Sequence, residues 1–598
     1  MALEQDRRLK IGRLRNIALP AAGCGTMTCD TNITADLRID NTRLVNVFTG
    51  ETECANVCVK DGRILGFSHH EAAETLDASG AYLLPGFIDA HVHIESALLT
   101  PEHFAELVLP HGVTTVIADP HEIANVKGVA GIKYMIDAAA DLPLDIRYML
   151  PPCVPALPPD MLDEGVPHLS AAELSTLYDL PHVTGLGEMM NVPGVLRKDA
   201  DIMEKIATAS RTGRPVDGHC PGLAGASLEQ YIASGVRTDH ECTTINDLHD
   251  RLRLGMYVAL RQGSAAKNLQ LLLSGVTEAN ARRCMLCSDD RHPVDILREG
   301  HIDASVRMVI STGLTTATAV RMATLNAAEC YGLTDVGAIA PGRRANMFLT
   351  DSLRTFTVRK VWCDGRLVAI NGKMVAPVTP VTDASAMRGS VRLAPLPDKP
   401  FALRIPTGKA RVICLNPHSI TTRHEVHRVN TTNDGWFVFD KNPGMVKIAV
   451  LDRHTSSGKI GLGLLDKSYG LTGGAIATSI AHDSHNIVVA GSNDRDMAAA
   501  VQAVAEMQGG IAMISDGKKL ACLPLPIAGL MSDAPAEDVA QTLQTMLDLA
   551  KSHYCISDKA DAFMTLSFLA LPVIPQLRIT ANGLFDVENL SIVDVATE

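Results

Sequence analysis

The chain of 598 residues is long enough for two or three domains, and 46% hydrophobic with 20% charged residues is a globular composition. Its formal net charge of −13 is spread along the chain, which argues against a nucleic-acid backbone as principal partner, since phosphate binding needs clustered Lys and Arg. No apolar run approaches the roughly 20 residues that cross a bilayer, so no membrane partner is expected.

Residues 1–34 read as an irregular N-terminal extension. "RRLKIGRLRNIALPAAGC" imitates a lipoprotein signal, but Pro20 interrupts an apolar core that is already too short for one. The 14 cysteines follow no framework and fit free thiols in a reducing cytosol, so the expected location is cytoplasmic.

Residues 35–82 are strand-like, with "LRIDNTRLVNVFTG" and "ANVCVKDGRILGF". A matching piece at 336–390 carries "GAIAPGRRANMFLTD" and "VRKVWCDGRLVAINGK". The two flanks predict one small β-sandwich domain built around an insertion. Within that insertion, residues 83–335, short apolar runs alternate with helical stretches. The runs are "LLPGFIDAHVH", "TTVIAD", "IRYML", "VTGLGE", "PVDGH", "VRTDHE", "MYVALRQG" and "CMLCSDD". Eight such runs over this length predict an α/β fold, a (β/α)₈ barrel. After a Pro-rich joint, "RLAPLPDKP", residues 397–598 mix strands and helices as an extra α/β or α+β domain.

Polar residues end these strands. Side chains two apart on a strand share a face, so His91 and His93 of "FIDAHVHIES" reach one point together. The fourth run ends at Glu188, the fifth at His219, the sixth at His240 and the eighth at Asp289. Active sites of such barrels lie at the C-terminal strand ends. Singly, such residues are more often hydrogen-bonded histidines or N-capping carboxylates. Together, in order, they point to a metal centre. Imidazole and carboxylate without thiolate suit zinc, iron, manganese or nickel, and six ligands exceed the needs of one four-coordinate ion. Two ions bridged by a carboxylate account for them.

Two further segments carry polar clusters. "ADPHE" puts Asp119, His121 and Glu122 after the second run, either as added metal or substrate contacts or as a capped loop. "HDSHN", with His482, Asp483 and His485, is either a lid over the site or a polar turn within its own domain. A cytidine-deaminase-like pairing of His93-Ile94-Glu95 with Cys284 and Cys287 is the weaker reading, because those cysteines face opposite sides of a strand.

The constellation resembles the amidohydrolase superfamily, whose first strand looks like "PGFIDAHVH" and whose return into the small sheet looks like "GAIAPGRRANMFL". Glu188 stands where many cyclic-amide hydrolases carry a carbamylated lysine. With "HIES", "ADPHE" and the C-terminal "HDSHN", the pattern resembles the bacterial adenine deaminases. That resemblance implies hydrolytic deamination of adenine on a pair of divalent ions, Mn²⁺ or Fe²⁺ with Zn²⁺ admitted, in a homo-oligomer, a dimer. It implies Asp289 as the base that takes the proton of the attacking water and passes it toward the amine. Glu188 would be the bridging carboxylate and a source of acid for the ring. The alternative is another hydrolase of this superfamily, acting on a cyclic amide or N-acyl substrate.

Overall fold

The computed structural model describes residues 33–598 apart from 159, 160, 381, 418, 558 and 559. Except for Ile33 and Thr34, the expected N-terminal extension lies outside the described residues.

All eight expected runs form strands: β1 Phe87–Val92, β2 Val113–Ala118, β3 Asp145–Leu150, β4 Val183–Met189, β5 Val216–Gly218, β6 Thr238–Asp239, β7 Tyr257–Arg261 and β8 Cys284–Cys287. They are short and almost wholly buried on both faces because helices cover the outside and packed side chains fill the inside, as in buried parallel sheets. β1 to β5 hydrogen-bond in sequence order and β6 to β8 form a second parallel run. Two junctions close the ring. Arg237 N–H donates to Val216 O at 2.9 Å, and Asp289 N–H donates to His91 O at 2.9 Å beside a parallel bridge from Val92 to Asp289.

One end of the barrel is plugged by Ile88, Ala90, Ile117, Met149, Tyr257, Ala259, Met285 and Cys287, with Tyr331 packed beneath. Cys287 lies in this plug and Cys284 in the core outside it. The period-two alternation of a strand thus separates the two thiols. The other end is left to the polar residues.

The flanking β segments join directly, since Met347–Thr350 pairs antiparallel with Tyr82–Pro85. Their strands form a nine-stranded sheet. The long first strand, Ala35–Val45, shifts register between Ile39 and Thr42. Its first half pairs with Ala72–Asp77 and its second with Tyr82–Pro85, so the sheet bends over its own core of Leu37, Ile39, Val57, Leu83, Met347 and Trp362.

The C-terminal region is α+β. An eight-stranded, mostly antiparallel sheet carries the helix Asp494–Glu506 on one face, and a three-stranded sheet follows from Leu577. Between its strands Ala475–Thr478 and Ile487–Gly491, the "HDSHN" turn leaves the sheet and enters the barrel mouth. Among the described residues, no helix is long and apolar enough to cross a membrane, and the cysteines are free thiols.

Candidate metal centre

Every strand-end residue singled out in the sequence reaches the same buried mouth. His91 is the fifth residue of β1 and His93 follows its end; their Nε2 atoms lie 3.2 Å apart. His93 Nδ1 is 3.0 Å from Asp119 O. A carbonyl only accepts, so Nδ1 carries the proton and Nε2 of the neutral ring is a lone pair. That lone pair faces Asp289 Oδ1 at 3.2 Å and Glu188 Oε1 at 3.3 Å. His91 Nε2 stands 3.5 Å from the same Asp289 oxygen.

Lone pairs converging at these distances repel unless a proton or a cation lies between them. Ligands about 2.1 Å from one tetrahedral ion sit about 3.4 Å from one another, and the observed spacings match that. The donor set therefore fits a divalent cation.

Glu188 faces a second group with its other oxygen. Oε2 is 2.7 Å from His219 Nδ1 and 3.4 Å from His240 Nε2, and the three ligand atoms are mutually close enough for one ion. One carboxylate thus serves two histidine pairs.

The backbone is built to hold it there. Asp119 Oδ2 accepts the Glu188 N–H at 2.8 Å, and a Cβ on Gly187 would stand 2.1 Å from that oxygen. Only glycine leaves the room.

Burial acts to raise the Glu188 carboxyl, but hydrogen bonds from His219, His240 and His93 outweigh it and hold the group well below the usual range. Burial likewise raises Asp289, and the Arg261 guanidinium with His91 and His93 overturns that effect. A bound cation would take the place of protons on these imidazoles, because ligation needs the neutral ring.

The "ADPHE" residues lie at the same mouth. Asp119 positions Glu188, while His121 Nδ1 is 3.3 Å from Glu188 Oε1 and its Nε2 is 3.4 Å from Glu122 Oε1. Glu122 is also where the C-terminal turn lands. His482 Nδ1 is 2.6 Å from Glu122 Oε1, and His485 Nε2 hydrogen-bonds Oε2. Asp483 lines the cavity, 3.7 Å from His121 Nε2. Of the two readings of "HDSHN", the contacts fit the one that places it over the barrel.

Sequence reasoning passed over Arg261, Glu241 and Asp290. Arg261 ends β7 and binds Asp289 Oδ2 at 2.8 Å and Glu241. Asp290 Oδ1 accepts from Ser96 Oγ at 2.5 Å. The strand-end signal that found His219 also marks Arg261 when applied to "ALRQG". No such signal marks Ile420, Phe568, Leu571 and Ile574, the apolar wall that the C-terminal region adds. Beside this wall a cavity of about 780 Å³ opens between barrel and C-terminal region, sharing Glu241, Arg261, Ile420, Phe568 and Ile574 with the centre.

Comparison with known proteins agrees with this architecture. The amidohydrolase family model matches residues 82–368, and the adenine deaminase C-terminal domain model matches residues 419–591. The chain is 53% identical to an adenine deaminase of Nitratidesulfovibrio vulgaris, covering 94% of this chain and 96% of that one. It is 43% identical to adenine deaminase 2 of Desulfotalea psychrophila, with the same coverage of both. Identity to an adenine deaminase of Clostridium acetobutylicum is 42%, over 93% of this chain and 96% of the relative.

Proposed function

This chain belongs to the adenine deaminase family of the amidohydrolase superfamily, and we propose how its barrel mouth turns adenine and water into hypoxanthine and ammonia. The superfamily implies a divalent metal, and the His, Glu and Asp groups at the mouth offer ligands for it. Our reading is two ions, Mn²⁺ or Fe²⁺ with Zn²⁺ as an admitted substitute, held by His91, His93, Glu188, His219, His240 and Asp289. The observation that carries it is Glu188, whose two oxygens face separate histidine pairs. When bound, such ions lower the pKa of water from about 15.7 to about 7 and make it a nucleophile near neutral pH.

The chain's own groups do the rest. Asp289 accepts the proton of the attacking water, and Arg261 fixes the orientation of its carboxylate by holding Oδ2. Glu188, held as a carboxylate by His219, His240 and His93, keeps the two ligand groups at bridging distance. The flat purine lies against Phe568, Ile420 and Ile574, where its faces meet apolar surface. Free thiols support a cytoplasmic location, and the family resemblance supports a dimer.

The test is ammonia release from a panel of purines by protein of measured metal content. Adenine should be the preferred substrate. Turnover of cyclic amides with none of adenine would overturn the assignment.

A further inference from the structure

His482 is delivered to the barrel by the C-terminal region, and its ring is fixed from three sides. Nδ1 lies 2.6 Å from Glu122 Oε1, which as a carboxylate oxygen can only accept, so Nδ1 carries a proton. The ring stacks on Phe568 with centroids 4.5 Å apart and planes inclined by 21°. Its main-chain N–H donates to Ser567 O at 3.2 Å. Nε2 is thereby turned away from Glu122, without a protein partner among the described residues, on a ring that lines the cavity of Glu188, His219, His240 and Asp289.

Glu122, His482 and His485 also have the spacing of metal ligands. Protons explain the cluster better. His485 Nδ1 accepts the Ala481 N–H at 3.3 Å, so its Nε2 bears the hydrogen given to Glu122. A cation on that Nε2 would force a proton onto Nδ1, against the Ala481 N–H. What remains is a carboxylate that orients an imidazole whose second nitrogen is offered to the cavity. That is the arrangement by which a histidine exchanges protons with a reacting group.

Position selects the reacting group. The large cavity opens beside Glu241, Arg261 and Ser264 and does not include His482. His482 lies on the far side, where it also borders a small pocket with Ser96 and Thr478. A purine that entered from the large cavity with its rings toward the opening would carry the substituents of C6 inward, toward His482.

We propose that His482 is a catalytic residue, the acid that protonates the amine as it leaves C6; the assignment rests on the adenine-deaminating reading above. As the C6–N bond breaks, its electron pair stays with nitrogen and Nε2–H supplies the proton, so ammonia departs. The proton that Asp289 takes from the attacking water passes to the ring nitrogen as C6 becomes tetrahedral; the freed carboxylate then takes the proton of the C6 hydroxyl, which becomes the carbonyl of hypoxanthine. Of the two protons of the water consumed, one ends on the ring and one on ammonia. Proton return from Asp289 to His482 through solvent resets both groups.

Chloride leaves without a proton, so comparing adenine with 6-chloropurine isolates this step. His482→Gln should lower kcat on adenine by about 10²–10⁴ with little change in KM, while chloride release from 6-chloropurine stays within about threefold of wild type. In His482→Ala, added imidazole should restore part of the adenine turnover. Should Gln at position 482 prevent folding, Glu122→Gln carries the test: it leaves the imidazole in place, weakens its orientation, and should show a smaller loss confined to adenine. Equal losses on both purines, or adenine turnover near wild type, would overturn the role of His482. Wild-type protein that releases no ammonia from adenine would instead overturn the parent reading.

Discussion

Arg261 Nη1 donates to Asp289 Oδ2 at 2.8 Å, and the same guanidinium pairs with Glu241, all three side chains being buried. Removing one member of a buried charge group leaves the others uncompensated, which costs about 3–5 kcal/mol. Arg261→Met should therefore lower stability by about that amount and lower kcat by freeing the Asp289 carboxylate. Arg261→Lys should recover charge without the planar fork, and so only part of the loss. Denaturant unfolding of the three proteins with equal metal content checks this; a Met variant as stable as wild type would show that Arg261 is not needed to balance the two carboxylates.

Asp289→Asn tests the base directly. The amide is nearly the same size and keeps an acceptor toward Arg261, so the fold should persist. Loss of general base catalysis costs about 10²–10⁴ in rate, and more where a ligand to the metal is weakened as well. Steady-state ammonia release by metal-loaded variant should fall by at least that range, and turnover near wild type would remove Asp289 from the chemistry.

How much of this was legible beforehand follows from how local each signal is. The eight barrel runs and their terminal residues could be read because a buried parallel strand is a short apolar word, and a ligand at its end is a polar interruption. His91, His93, Glu188, His219, His240 and Asp289 all announce themselves in this way. Arg261 obeys the same rule, but an arginine is not a metal ligand and was passed over. The role of Asp119 in holding Glu188 N–H depends on Gly187 leaving room for it, a three-dimensional fact with no spacing rule behind it. Phe568 and His482 were harder still, since they meet the barrel only because the C-terminal region packs across it. Composition distinguishes a lid from a turn only where the partner is known, and the partner, Glu122, lies 363 residues away from His485.

His454 gives a pH dependence away from the metal ligands. Its Nε2 donates to Ser484 O at 2.7 Å inside the turn that carries His482 and His485. Burial first, and the Arg453 charge second, push its pKa down to about 3. The unfolded chain binds that proton near pH 6.5, so the folded state is favoured in full above about pH 6.5. As pH falls from there toward 3, this one group removes about 1.4 kcal/mol of stability for each pH unit. His454→Gln keeps a donor for Ser484 O but cannot titrate. Its thermal midpoint should fall less than that of wild type between pH 7 and pH 5, and parallel curves would show that His454 does not carry the effect.

Glu188 is the residue on which the two-ion reading turns, because its oxygens are the shared point of both ligand groups. A barrel built on a carbamylated lysine needs carbon dioxide to make its bridge, whereas a glutamate is ready as synthesised. Metal loading of the stripped protein should therefore be independent of added bicarbonate and should approach two ions per chain by elemental analysis. Glu188→Gln presents two cations with a neutral amide, which bridges them weakly, so it should retain at most about one ion and lose most adenine turnover. Gly187→Ala reaches the same place by another route: the added Cβ displaces Asp119, the Glu188 N–H loses its acceptor, and the carboxylate drifts from its bridging position. Both variants should fold, because the barrel plug of Ile88, Ile117 and Met285 lies on the far side of the strands. If Glu188→Gln kept both ions and full turnover, Glu188 would not be the bridge, and the metals would have to be assigned to other ligands.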